Sequence, residues 1–317
     1  AGGFGLLIAG RRTLADSYSM QSYLSREAAF MLANLLLVGS AAVVFLGTIF
    51  PAITELIQGQ QVALGVSFYN RAFSPLGLAI ILLFGVCPVL GWRETSLARF
   101  GQRLIVPAVV ALVGVLILLV AGYREPVALV GFGSVFFVAG NILSEFVRGA
   151  AARSRMAGEN PFLATLRLIS RDRRRYGGLI VHLSILLIVL GVVGSAAYKT
   201  EQQVALEPGE QISVGQYVIE YAGHTIESHP EKERYATMLD VYTGGRLAKS
   251  LTPEKNFHWN IEQWVSEVAV WSRPSEDLYI ALGGLSDDGL ASFQIMREPL
   301  MIWMWIGGFV LALGVVI

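Results

Sequence analysis

Among the side chains of this 317-residue sequence that could do chemistry, His182 stands in the least expected surroundings. It lies in RDRRRYGGLIVHLSILLIVLGVVGSAAY, Arg171 to Tyr198, where an arginine cluster precedes about twenty mostly apolar residues. Imidazole in hydrocarbon without a partner costs several kcal/mol, so an ionisable group inside such a segment points to function. Three chemistries suit it there: axial ligation of a heme iron, proton relay and substrate binding. A fourth reading is structural, a hydrogen bond to a neighbouring helix. Placement alone leaves all four open. On a helix, His182 would sit roughly 10 Å beyond Arg175. Gly177, Gly178, Gly191 and Gly194 would give that helix small faces, admitting a second helix or a flat macrocycle. Leu183, Ile185, Leu186 and Ile188 would wall the site.

The other candidates carry less. His224, His229 and His258 share no HxH, HxxxH or HxxE spacing with another ligand, and AGHTIESHP reads as a polar turn while FHW suits a strand. Surface or core-satisfied histidine is the plainer account of each. Cys87 is the only cysteine, in an apolar run, which excludes an intrachain disulfide and a CxxC pair. Asn141, Ser144 and Glu145 end another apolar stretch, where Glu145 and Arg148 are three apart and should pair locally. No nucleophile–base constellation, P-loop, dinucleotide fingerprint or HExxH occurs, so no catalytic residue is assigned.

The elements that must position His182 follow from composition. The chain is 54% hydrophobic and only 15% charged, against about 25% charged in ordinary soluble domains. Its formal net charge is zero, so nothing points to nucleic acid. Apolar spans are legible at 28–50, 75–90, 104–121, 127–146 and 177–197, with a further one at 300–317. Ser25 should cap the first and Pro51 close it. Gly85, Gly114, Gly131, Gly133 and Gly140 lie in spans and read as helix-packing positions. The opening AGGFGLLIAGRRT reads as the tail of a helix whose beginning is absent, and the closing ALGVVI stops within an apolar run. Both edges are expected to be truncated or only partly ordered.

Charge then sets the expected topology. Arginines gather in loops 11–27, 91–103 and 147–176, while 51–74 and 122–126 carry only Arg71 and Arg124. Every second loop is basic, which makes those three cytoplasmic. The tract from Lys199 to Glu298 then lies outside. There EQQVALEPGEQISVGQYVIEYAGHTIES alternates apolar and polar residues between Pro-Gly and Gly breaks, and YATMLDVYTGG and SEVAVWS continue the pattern. The expectation is a polytopic α-helical membrane protein with an inserted extracytoplasmic antiparallel β domain. Residues 1–197 form the transmembrane bundle, its first helix partial; 198–298 form the β domain; 299–317 form a terminal transmembrane helix. Trp303 and Trp305, at the start of that helix, suit interfacial anchors.

The wording of the sequence adds to its periodicity. SREAAFMLANLLLVGSAAVVFLGTIFP, SFYNRAFSPLGLAIILLFGVCPVLGWRE and YGGLIVHLSILLIVLGVVGS, followed by PEKNFHW, SEDLYIALGG and MREPLMIWMWIGGFVLALG, resemble the C-terminal half of the CcmF-type cytochrome c heme lyases. The resemblance runs over nearly the whole chain. It implies work in the cytochrome c maturation system of the bacterial inner membrane, attaching heme covalently to apocytochrome c CxxCH motifs at the outer, periplasmic face. It implies partners: a CcmE-type heme chaperone, CcmH- and CcmG-type thiol proteins, apocytochrome c and quinol. It also implies heme b within the bundle, held by two transmembrane histidines, and His182 in YGGLIVHLS matches the second. Bis-histidine ligation leaves no open position on iron, which suits electron transfer.

Parts of the family pattern are missing. No tryptophan-rich WWD segment occurs, and no histidine precedes residue 182. The resemblance therefore implies a back half that is active only with the N-terminal half, present on a separate chain or simply absent here. Two rival readings remain: a non-enzymatic scaffold or docking subunit of the maturation complex, and a heme transporter. The transporter fits least, because its spans would be broken and polar at midplane.

Overall fold

A computed structural model describes residues 22–286 and 288–317; the expected partial helix at the N-terminus lies outside the described residues. The described residues divide into two compact units, one within 22–123 and 130–171, the other within 124–129, 172–286 and 288–317.

The first unit is helical. Helix α1 spans Arg26–Gln58, and the Ser25 side chain accepts from the Ala28 amide at 3.2 Å, the expected cap. Pro51 does not close the helix. It lies inside, and the end comes at Gly59, whose φ of 71° turns the chain and lets its amide reach Glu55 O at 2.9 Å. A proline removes only one donor, and a long apolar helix absorbs that loss. Helix α2 (Val66–Val86) likewise carries Pro75 internally and starts nine residues before the expected span; a 3₁₀ turn, Cys87–Val89, ends it. Helix α3 is Leu97–Val120 and α4 is Pro126–Ala157. The expected basic loop 147–176 is largely helical, because α4 extends to Ala157 and the short helix α5 (Pro161–Arg171) follows. Glu159 holds this corner, pairing with Arg153 at 3.3 Å and with Arg167.

Glycines set the packing of these helices, as expected for membrane bundles. A Cβ on Gly85 would meet Val138 at 2.9 Å, and one on Gly140 would meet Val110 at 3.0 Å and Pro107 at 3.2 Å. Arg26 ties the α1 start to the turn after α2: its amide donates to Gly91 O (3.0 Å), its Nε to Leu90 O (2.6 Å) and its Nη2 to Pro88 O (3.0 Å). These carbonyls end a helix and have no intrahelical donor of their own.

The second unit joins two helices to a β sandwich. Helix α6 spans Arg173–Tyr198, with Asp172 accepting from the Arg175 amide at 3.3 Å. Ten antiparallel strands follow: β1 (Thr200–Leu206), β2 (Gln211–Val214), β3 (Tyr217–Ser228), β4 (Lys232–Thr243), β5 (Arg246–Leu251), β6 (Glu254–His258), β7 (Gln263–Glu267), β8 (Ala269–Ser272), β9 (Glu276–Leu285) and β10 (Ala291–Pro299). One sheet runs β1-β10-β9-β8; the other runs β2-β3-β4-β6-β7, with β5 also on β4. Alternate residues fill the space between them. Tyr217, Ile219, Tyr221, Leu239 and Val241 of the larger sheet meet Leu278, Ile280, Leu282, Phe293 and Ile295 of the smaller. AGHTIESHP is mostly strand: Ala222–Ser228 belong to β3, which passes a bulge between Tyr221 and Gly223, and only His229 and Pro230 fall in the connection to β4. The pattern in SEVAVWS breaks at Val268, so its halves fall in different sheets. Helix α7 (Ile302–Val316) ends the described chain.

Candidate functional site

Three of the four α6 glycines are filled by α7 and the corner that precedes it. A Cβ on Gly177 would touch Gly314 O at 3.3 Å; on Gly191 it would press on Met304 at 2.6 Å; on Gly194 it would press on Leu300 at 2.8 Å. The reciprocal contacts come from Gly307, against Ser184 O (2.8 Å) and Ile188 (2.7 Å), and from Gly314, against Val181 (3.0 Å). Ile188 is therefore turned to α7 and is no wall for His182. Leu300 has a left-handed backbone, φ 61°, at the corner where β10 becomes α7. That conformation is costly for leucine; here it seats the side chain in the notch left by Gly194.

His182 faces the other way. At about 100° per residue, His182 shares a sector with Gly178, Ile185 and Val189, roughly opposite the residues that touch α7. His182 is half-buried. Gly178, one turn earlier, has open space where a side chain would be, with no atom within 4 Å of a Cβ built there. An imidazole with an uncovered glycine one turn away leaves room on this face of the helix for a flat group. His182 and Gly178 are, among the described residues, the set that could hold a heme. Among the described residues no three His, Cys, Asp or Glu side chains gather as a metal site.

The remaining candidates resolve into structural roles. His224 Nδ1 lies 3.0 Å from the Tyr221 hydroxyl, His229 Nε2 lies 3.5 Å from Glu227, and His258 ends β6. Asn141 is fully buried and donates to Gly85 O at 2.5 Å, a link between α2 and α4. Glu145 and Arg148 form the expected ion pair at 2.6 Å. Trp303 donates to Pro274 O at 2.9 Å, while Trp305 is largely exposed.

Sequence reading missed the polar cluster at the helix-proximal end of the sandwich. Glu276 begins β9, is 5% exposed, and accepts from Arg297 Nη2 (2.7 Å), Arg297 Nε (3.0 Å) and Gln216 Nε2 (2.6 Å). Burial pushes its carboxyl up, yet these hydrogen bonds, one from Tyr217 and the Arg297 charge outweigh it and leave it below the usual carboxylate range. Its neighbour Asp277, equally buried, shows the opposite balance. Burial and the nearby Glu298 raise it, against hydrogen bonds that include one from Ser272 at 3.1 Å. The signal was present in SEDLY and MREP, each of which supplies one partner of the Glu276–Arg297 pair.

Five helices among the described residues are long and apolar enough to cross a membrane. Together with the sandwich they define the class: a multi-pass helical membrane protein with an antiparallel β sandwich between its last two apolar helices. Comparison with known proteins narrows this. Residues 197–299 match the family described as the CcmF C-terminal beta-sandwich. The chain is 28% identical over 293 residues to cytochrome c-type biogenesis protein CcmF of Haemophilus influenzae, covering 92% of this chain and 44% of that protein. It is also 28% identical to CycK of Bradyrhizobium diazoefficiens, covering 99% of this chain and 47% of that one. Among solved structures it is similar to cytochrome c heme lyase CcmF, with a TM-score of 0.75 and 27% identity over 98% of this chain and 48% of the other. The chain thus spans about half the length of the relatives it matches.

Proposed function

We propose that this chain is the C-terminal half of a membrane component of cytochrome c biogenesis that holds a b-type heme through His182 and takes part in ligating heme to apocytochrome c. The observation that carries the proposal is the placement of His182 on the α6 face turned away from α7, one turn from the uncovered Gly178. The names of the similar proteins support the biogenesis role, and that of the structural neighbour supports the lyase role. In this reading residues 1–197 and 299–317 are the membrane part, in the bacterial inner membrane. The arginine-rich segments lie inside, and residues 198–298 lie on the periplasmic side.

The residues have defined tasks. A neutral His182 imidazole offers one ring nitrogen to iron, and the other needs an acceptor to fix the tautomer. Helix α6 holds the ring in place because its opposite face is locked on α7 by glycine contacts. Gly178 leaves room beside the ring, and Ile185 and Val189 exclude water. When bound with two histidine ligands, the heme would supply single-electron transfer and no open coordination site. The second histidine must come from the N-terminal half, because His224, His229 and His258 all belong to the sandwich.

The test is spectroscopic. The chain joined to its N-terminal half should show a reduced b-type absorption spectrum, and His182→Ala should abolish it while the protein still accumulates. A spectrum that survives the substitution removes His182 from the ligand set. It would then favour the second reading, a scaffold in which His182 only packs.

A further inference from the structure

Strand β7 ends the larger sheet and has a neighbour, β6, on one side only. All five of its residues are exposed, and its outer amides and carbonyls make no backbone hydrogen bond with another described element. Natural proteins blunt such an edge with lysine, proline or a bulge. Gln263, Trp264, Val265 and Ser266 include neither residue, and the β6–β7 register runs without a shift.

Beside this open backbone lies a built aromatic platform. The Trp264 ring packs against Tyr235 and Phe257, each at 5.2 Å, and Phe257 packs against Trp259 at 5.0 Å. The Lys255 ammonium sits 5.6 Å from the Trp264 ring and donates to Gly283 O, which fixes the tryptophan from behind. Trp259, Ile261 and Trp264 nonetheless remain about half exposed, at 49%, 51% and 51%. An unpaired strand flanked by rigid apolar side chains is the arrangement that accepts an added peptide strand.

Charge indicates which peptide. Residues 199–299 hold sixteen Asp and Glu against eight Lys and Arg. Glu262 precedes β7 and Glu267 is its last residue, and Glu231 adjoins Trp259, whose amide donates to the Glu231 carbonyl at 3.1 Å. The nearby cations are already engaged: Lys232 by Glu267 at 3.5 Å, Arg234 by Glu227 at 2.8 Å and by Glu254. The edge therefore presents apolar surface in a negative field.

We propose that β7 is a docking strand. It takes an extended segment of a partner polypeptide, with basic and apolar residues alternating, as an added strand of the larger sheet. This goes beyond the heme proposal and does not depend on it.

The experiment uses the full chain in lipid nanodiscs and a peptide of about ten alternating Lys and Val residues, long enough for one strand. Hydrogen exchange should slow at residues 263–267 when the peptide is added. The same peptide methylated at every backbone nitrogen should give no protection, and a Glu/Val counterpart should bind about tenfold more weakly or not at all. Val265→Lys should weaken binding by about tenfold, with unchanged exchange at Leu278–Leu282 showing that the sandwich is intact. If that variant does not fold, Glu262→Lys makes the same charge test from the loop. Absence of protection at 263–267, or equal binding by the methylated or the acidic peptide, overturns the proposal.

Discussion

Arg297 closes on Glu276 with two nitrogens on one carboxylate oxygen, Nη2 at 2.7 Å and Nε at 3.0 Å, so that the last turn-proximal residues of β10 are tied to the first residue of β9. The pair stands where β10 gives way to α7. Gly215, at φ 62°, passes so close that a Cβ there would collide with the guanidinium. The Leu300 amide then donates to Ser275 O at 3.0 Å and Trp303 Nε1 donates to Pro274 O, so a short polar corner orders the exit from sandwich to helix.

Breaking that pair should be costly, because Glu276 would remain buried without its cation. Arg297→Ala should lower the stability of the sandwich by about 2–3 kcal/mol, toward the lower end for a buried ion pair since the arginine is partly exposed. Thermal unfolding of the purified protein, with hydrogen exchange at β9 and β10, measures this. The contribution has a pH signature. Glu276 is held below the usual carboxylate range in the folded state, so its stabilisation is present above the ordinary carboxylate pKa and fades as pH falls through the folded value.

Asp277 should behave in the opposite sense. Its folded pKa is raised by burial and by Glu298, so it costs stability at neutral pH and the cost disappears as pH falls below the folded value. Asp277→Asn is expected to stabilise the sandwich by about 1 kcal/mol at pH 7. Melting curves at pH 7 and pH 4 should show that gain shrinking in acid; a destabilised variant would contradict the sign.

The glycines of α6 and α7 should separate into two kinds. Gly307→Val would drive its side chain into Ser184 O and Ile188, and overpacking of this sort costs about 1–3 kcal/mol. A Cβ at Gly178 has no contact within 4 Å, so in Gly178→Leu helix packing should hold while the b-type signal falls. Thermal stability and heme absorbance, read on the same two variants, distinguish a packing glycine from a clearance glycine.

Arg26 should guard the turn after α2. Replacing it with Ala removes the side-chain donors to Leu90 O and Pro88 O, each charged hydrogen bond contributing about 1.5–3 kcal/mol. Cys87 opens that turn and is the only cysteine. Its rate of alkylation by a maleimide should rise in Arg26→Ala; an unchanged rate would mean the turn holds without the clamp.

Much of this architecture was legible from local pattern. Ser25 ahead of an apolar run, the two-residue alternation of YATMLDVYT, and Glu145 three before Arg148 each depend on neighbours within one turn or one strand. What escaped depends on distance or on context. Pro51 and Pro75 read as boundaries because proline breaks short soluble helices, whereas long apolar helices carry it inside. AGHTIESHP read as a turn from its Gly, His and Pro, yet pairing with β4 holds it as strand as far as Ser228. Arg26 with Leu90, and Glu276 with Arg297, are joined only once the chain has folded back. Of the candidate site, His182 was visible as a polar residue in an apolar segment. That Gly178 is open while Gly177, Gly191 and Gly194 are filled needed the position of α7.

The most direct measurement is a ligand rescue at residue 182. The chain should be prepared with its N-terminal half as His182→Gly, and heme content determined by pyridine hemochrome with and without added imidazole. The account predicts that the b-type heme is lost in the variant and returns with imidazole. Heme retained in the variant, or lost and not restored while exchange at α6 stays native, would contradict it.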